Sequence, residues 1–283
     1  MKIRIFCILL FFSSLSFFSF GEGKAEQNRS SFKLFGTGEV FQLNPVTDSI
    51  LFGTGLALNG TSFIIEKTST AKSPVFPFNL DDVNAFDRKL AFPYSSSLHK
   101  ISTVSSVAGL ITPALLAFTT DSSEWFTIGA MYVETFLLAN GIKELTKALV
   151  YRPRPYMYFE GYPQKKIDEG DWEDSFFSGH TTLAFTGAAF TSYVFAKYNP
   201  DSPWRFAVAG GTFALAAATG IMRVTGGNHF ATDVLVGATV GTACGILVPF
   251  LHTLGAGQNK SASSSSSLTV QAMPLGVGFS VKL

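Results

Sequence analysis

The sequence predicts an all-α, multi-span transmembrane helical bundle, and three observations predict it. Only 14% of the residues are charged, against about 25% in a typical soluble domain. Hydrophobic residues make up 47% and include 29 phenylalanines. Apolar segments recur at about the 20 residues a helix needs to cross a bilayer, with short polar gaps between them. A soluble all-α domain with buried helices is the competing architecture, and the low charge and short gaps favour the membrane. The formal net charge is +1, so nothing argues for a polyanionic partner such as nucleic acid. Cys7 and Cys244 each lie in an apolar run without metal-ligand spacing, so neither a disulfide nor a cysteine metal site is expected.

Taken in order, the elements begin with a leader. Lys2 and Arg4 precede an apolar run from Ile5 to Phe20, and Ser19-Phe20-Gly21 offers small residues for cleavage, so residues 1–21 read as a secretory signal. Residues 22–75 then form an exported N-terminal segment, its placement at the membrane interface left open. Within it Val46–Ile65 is apolar but interrupted by Asp48, Asn59 and several glycines, and is expected on the membrane surface. Phe76–His99 mixes Asp81, Asp82, Asp87, Arg88 and Lys89 with aromatics and reads as amphipathic.

Residues 76–252 form the helical domain. Its spans are expected at Ile101–Thr120, Trp125–Thr146, Phe176–Ala196, Trp204–Met222 and His229–Leu251. Some are rich in Ala, Gly, Ser and Thr, which suits close helix packing in lipid. Tyr156–Asp174 is the longest internal connection and is strongly acidic. A loop of that length in a compact core is often functional, the alternative being a solvated connector. Residues 253–283 read as a flexible Gly/Ser-rich tail, within which Leu275, Val277, Phe279, Val281 and Leu283 alternate as a strand would.

Three polar blocks punctuate this pattern. Lys147 stands seven residues before Arg154-Pro155, Ser178-Gly179-His180 follows, and Arg223, His229 and Asp233 close the set. The first block sits at the C-terminal end of its span, the second at an N-terminal end, the third between the last two spans. Two crossings separate the second from the third, so all three emerge at one membrane face.

Written as KxxxxxxRP, SGH and RxxxxxHxxxD, the blocks resemble those of the type 2 phosphatidic acid phosphatase superfamily, which includes lipid phosphatases, bacterial class A acid phosphatases and vanadium haloperoxidases. The resemblance covers roughly Asp81 to Leu251. Only Lys147, not Lys143, and only Arg154, not Arg152, keep the spacing. Arg152 is read as an accessory phosphate or headgroup contact. Phe177 stands where the family usually has Pro, and Met222 where it usually has Ser.

The resemblance implies a metal-independent phosphatase with its active site at one membrane face. The chemistry of the residues agrees. His229 can attack phosphorus and form a phosphohistidine. Asp233, four residues on, lies over the same helix face and can hold the other ring nitrogen. An isolated His–Asp pair is more often a satisfied core histidine; Arg223 at the family spacing reverses that weighting. His180 can protonate the leaving oxygen. Lys147, Arg154 and Arg223 supply positive charge for the equatorial phosphate oxygens, and Ser178 and Gly179 open a helix whose N-terminus favours anions. The catalytic set is thus His229, His180 and Asp233, and the phosphate set Lys147, Arg154, Ser178, Gly179 and Arg223, with no metal and no cofactor. The expected substrate is a lipid phosphomonoester or diphosphate. A soluble acid phosphatase or haloperoxidase, and a non-catalytic membrane binding protein, are the alternatives. With Val46–Ile65 on the surface, the site faces the periplasm from a bacterial inner membrane.

Overall fold

The computed structural model describes residues 36–69, 73–254, 256, 267–273 and 276–282; the expected signal at 1–21 lies outside the described residues. Eight α-helices occur among them: α1 Pro45–Thr68, α2 Ala85–Lys89, α3 Ser96–Leu110, α4 Trp125–Leu149, α5 Gln164–Asp168, α6 Gly179–Tyr198, α7 Trp204–Thr225 and α8 Ala231–Thr253. The helix starts follow local chemistry. Asn44 accepts from the Val46 and Thr47 amides with Pro45 in the first turn, and Ser95 accepts from Leu98. α3 continues as a 3₁₀ turn, Thr112–Phe118, opened by Pro113.

The five segments expected as spans all appear as helices, within a few residues of their predicted bounds. Ser96–Phe118, Trp204–Thr225 and Ala231–Thr253 are long and apolar enough to cross a membrane. α6 is the central helix, packed against α3, α4, α7 and α8. Shielded from lipid, it tolerates threonines, and Thr182, Thr186 and Thr191 each donate to a carbonyl one turn back at 2.7–2.8 Å.

Small residues set how closely these helices approach. On α8, Gly237, Gly241 and Gly245 face the Ser178, Thr182 and Thr186 carbonyls of α6. A Cβ on Gly237 or Gly245 would stand 2.7 Å from the carbonyl oxygen it faces. Gly109 of α3 meets Ala184 and Gly187 in the same way. The second and third polar blocks are thereby held at one level, at the N-terminal ends of α6 and α8.

Val46–Ile65 lies within α1, which packs along α4 as a member of the bundle; its 24 residues extend about 36 Å, but it is not among the three described helices that are apolar enough to cross a membrane. Gly55 and Asn59, read as interruptions, are contact points. Gly55 abuts Leu137, and Gly141 abuts Leu58 and Asn59. Asn59 donates to the Gly55 and Leu137 carbonyls at 2.7 and 2.9 Å and accepts from Asn140 at 2.6 Å. These pairings run α1 and α4 in the same direction, so Asn44 lies at the end of the bundle far from Lys147. There Phe41 enters a core with Leu116, Met131, Phe190 and Val194.

Beyond α8, strands β1 Ser267–Met273 and β2 Gly276–Lys282 pair antiparallel. The alternation around Val277–Val281 coincides with β2, so a hairpin occupies part of the stretch expected as a flexible tail.

Candidate active site

The first block is positioned by backbone pairing. Arg152–Arg154 runs extended beside Trp172–Ser175, with Arg152 N to Glu173 O at 3.0 Å, Arg154 N to Trp172 O at 2.8 Å and Ser175 N to Arg152 O at 3.0 Å. The second block joins the third through Ser178 N to Asp233 O at 3.0 Å. The turn between Arg223 and His229 depends on Gly227, at φ +67° with the Phe92 and Pro93 carbonyls against it; an added Cβ would be strained and crowded there.

His229 is 1% exposed. Its Nδ1–H donates to the Ser175 carbonyl at 2.7 Å, so Nε2 keeps the lone pair. That atom accepts from the Arg154 guanidinium at 3.0 Å. Burial first, then the Arg154 and Arg223 charges, hold the imidazole well below its ordinary pKa of 6.5. A neutral ring with its tautomer fixed and its free nitrogen beside a guanidinium is suited to attack on phosphorus.

Asp233 corrects a sequence expectation. Its carboxylate lies 3.8 Å from His229 Nδ1, too far for a hydrogen bond. It accepts instead from Ser175 Oγ at 2.6 Å and the Phe230 amide at 2.9 Å. Ser175, missed in the sequence, therefore stands between the pair, with its hydroxyl on Asp233 and its carbonyl on the histidine.

Arg152 differs from expectation too. It bridges two fully buried carboxylates, bonding Asp87 at 2.7 Å and Asp233 over a shorter contact, and donates to Thr232 at 2.9 Å. Its guanidinium also stacks over the Phe230 ring. Asp87 accepts further bonds from Thr232 and Asn84. Burial pushes its carboxyl up, but these bonds and Arg152 outweigh that and lower it. Arg152 is thus committed to structure, not free to meet a headgroup.

His180 lies in the first turn of α6 with Nε2 3.2 Å from Thr103 Oγ1. That hydroxyl donates to the His99 carbonyl at 2.8 Å, so it accepts from His180, whose proton sits on Nε2. Arg223, 1% exposed, directs one terminal nitrogen at His99 Nδ1 (3.0 Å) and Ser102 Oγ (3.3 Å). Its buried Nε donor has no hydrogen-bond partner among the described residues, as expected of a group reserved for an anion. Lys147 is close enough for its charge to depress His229. Ser178 occupies the N-cap of α6 without capping it; its hydroxyl bonds Thr181 at 2.9 Å. Gly179 faces the Lys143 side chain.

The acidic loop is a packed lid. Tyr156, Met157 and Trp172 form a buried cluster with Phe78 and Tyr94 against it. From this lid Asp171 reaches the first block: Arg154 Nη2 donates to its carboxylate at 2.9 Å and Arg154 Nε to its carbonyl at 2.6 Å. Lys166 donates to the other carboxylate oxygen at 2.8 Å. Burial raises Asp171, but Arg154 and Lys166 hold it well below the usual carboxylate range. The length and acidity of the loop signalled it in the sequence; which acid points inward did not show.

Residues 129–254 match the family model of the PAP2 superfamily. A lipid A 1-phosphatase of Porphyromonas gingivalis is 33% identical over 177 residues, which make up 60% of this chain and 34% of the relative. The chain thus spans about a third of that relative's length. Two crystal structures are similar. Aquifex aeolicus LpxE has 23% identity over 61% of this chain and 95% of that one, at a TM-score of 0.41. A transmembrane PAP2-type phosphatidylglycerolphosphate phosphatase from Bacillus subtilis has 21% identity over 70% and 95%, at 0.43. Every residue of the three blocks, from Lys147 to Asp233, falls inside the stretch matched by the family model, and over that stretch the chain is similar to the PAP2 superfamily.

Proposed function

We propose that this protein is a membrane phosphatase that hydrolyses a lipid phosphomonoester or diphosphate through a phosphohistidine, without a metal in the reaction. The observation that carries this reading is the state of His229: Nδ1–H held by a carbonyl, Nε2 unprotonated and 3.0 Å from Arg154. Nε2 attacks phosphorus and the ester P–O bond breaks; the leaving oxygen takes a proton from His180, which burial and the Arg223 charge keep neutral in the free protein and which acts as imidazolium once the phosphate's negative charge lies beside it. A water then attacks the phosphohistidine, giving its proton to His180 and releasing inorganic phosphate. Arg154, Arg223 and Lys147 stabilise charge on the equatorial oxygens. Ser175 and Asp233 orient the nucleophile. Asp171 leaves Arg154 as the phosphate arrives, because a carboxylate and a phosphate oxygen seek the same guanidinium.

The lipid class is supported by the apolar spans around the site and by the matched lipid A 1-phosphatase. The test is phosphate release in detergent with excess chelator, over lipid A 1-phosphate, phosphatidic acid, phosphatidylglycerol phosphate and a polyprenyl diphosphate. Wild type should release phosphate, vanadate should block it, and His229→Ala should release none. Full loss on chelation, or equal activity in the variant, overturns the mechanism.

We further propose that the site faces outward from a bacterial inner membrane. With α1 in the bundle, residues 36–44 and the site lie at opposite ends, so this orientation requires residues 36–44 to face the cytoplasm. A cleaved signal would place them outside and the site in the cytosol. The two sequence expectations, an exported segment and an outward site, therefore exclude each other, and the resemblance favours the outward site. An impermeant thiol reagent should label a cysteine placed at Gln164, and not one at Thr37, in intact cells; the reverse pattern places the site in the cytosol.

A further inference from the structure

Three side chains from three helices converge at the end of the bundle away from the phosphate site. Asp48 stands in the first turn of α1, Glu134 within α4 and His252 in the last turn of α8. Glu134 and Lys147 are thirteen residues apart on one helix, which places this cluster about 20 Å from the first block. His252 Nε2 is 3.0 Å from Asp48 Oδ1 and 3.3 Å from Glu134 Oε2. His252 is 1% exposed and Glu134 4%.

The hydrogen-bonding leaves this cluster short of positive charge. His252 Nδ1–H donates to the Val248 carbonyl at 2.8 Å. In the neutral ring Nε2 then carries a lone pair, and that lone pair faces two carboxylates. Glu134 Oε2 is buried and has no hydrogen-bond partner among the described residues. Anionic oxygens gathered inside a membrane bundle are expensive unless a cation meets them. One proton, on His252 Nε2 or on Glu134 Oε2, offsets one of the two negative charges. A divalent cation offsets both and leaves the ring neutral.

The spacing also fits. Donors held about 2.1 Å from a metal at tetrahedral or octahedral angles lie about 3.0–3.4 Å from one another. All three donor atoms here fall within 4.8 Å of each other. The Asp48 side chain is 28% exposed, so an ion has a way in. One imidazole and two carboxylates suit Zn²⁺, Mn²⁺ or Fe²⁺ better than a thiolate-seeking ion.

We propose that Asp48, Glu134 and His252 bind one divalent transition-metal ion that clamps α1 to α4 and α8. The ion is structural and takes no part in phosphoryl transfer. The full chain, purified in detergent, would be stripped with chelator, given Zn²⁺ or Mn²⁺, desalted and analysed for metal. Wild type should retain one ion per chain, with a saturable rise in thermal midpoint. Glu134→Gln and His252→Ala should retain none, while His229→Ala retains the ion as wild type does. Asp48→Asn, at a partly exposed position, serves if the buried variants fail to fold, and should weaken retention at least tenfold. Failure of stripped wild type to take up either ion, or uptake unchanged in these variants, overturns the proposal. Phosphate release by stripped, folded protein is read separately, and its loss would count against the metal-independent mechanism rather than against this site.

Discussion

At His229 a backbone carbonyl and a guanidinium decide the chemistry. The Ser175 carbonyl selects the tautomer and Arg154 awaits at the free nitrogen. His229→Ala should abolish phosphate release, and His180→Ala should reduce it by roughly 10²–10⁴-fold, the usual worth of a positioned proton donor. Because burial and the guanidinium charges depress the His229 pKa below 6.5, its unprotonated form persists as pH falls through 6.5. The acid limb of kcat/KM set by this group should lie well below that value, and a limb centred at 6.5 would contradict the burial argument. Protonation on unfolding also makes this histidine a source of acid instability: its contribution is present above pH 6.5 and declines as pH falls below it. Asp171 sits on Arg154 as a phosphate would. Asp171→Asn should lower the KM for substrate and the inhibition constant for inorganic phosphate several-fold, measured by competition at fixed pH. An unchanged constant would show that the carboxylate does not compete.

Among elements, the pairing of α6 with α8 matters most for the site. The Gly237, Gly241 and Gly245 stripe lets α8 approach the carbonyls of α6, which aligns Ser178 with Asp233 through the 3.0 Å backbone bond. Gly241→Leu should separate the helices, lower the thermal midpoint by an amount equivalent to about 1–3 kcal/mol or more, and depress kcat through misalignment. The short α2 acts through one residue. Asp87 anchors Arg152, which neutralises Asp233. Removing one partner from a buried ion pair typically costs about 3–5 kcal/mol, so Arg152→Ala should destabilise the fold and slow turnover. If Arg152 were a headgroup contact instead, the variant would raise KM and leave thermal stability intact.

For the whole molecule, the bundle has a closed site under an aromatic lid at one end and an acid–histidine cluster at the other. Tyr156, Met157 and Trp172 are buried within the loop that sets Asp171 on Arg154, so a phosphate that reaches Arg154 requires this lid to shift. A disulfide or crosslink fixing Gln164 to a neighbouring loop should therefore suppress turnover of a lipid substrate more than of a small phosphate ester; equal suppression would argue against gating by the lid. A cleft of about 470 Å³ at the far end, lined by Thr37, Glu39, Asp121, Glu124 and Tyr198 among others, contains no basic side chain or histidine and does not compete as the phosphate site.

The sequence by itself determined the helical bundle, its five long apolar helices and the three blocks, because segment length, charge and motif spacing are local properties written along one chain. It also determined that the blocks share an end, since two crossings return the chain to the same face. The tertiary structure decided what depends on neighbours distant in sequence. α1 joins the bundle because Gly55 and Asn59 find partners on α4, where the sequence showed only interruptions. Asp233 serves Ser175 and Arg152 instead of touching His229, although the four-residue spacing suggested direct contact. Asp171, one of several acids in its loop, is the one that meets Arg154, and Asp48, Glu134 and His252, up to 204 positions apart, become neighbours only once three helices pack.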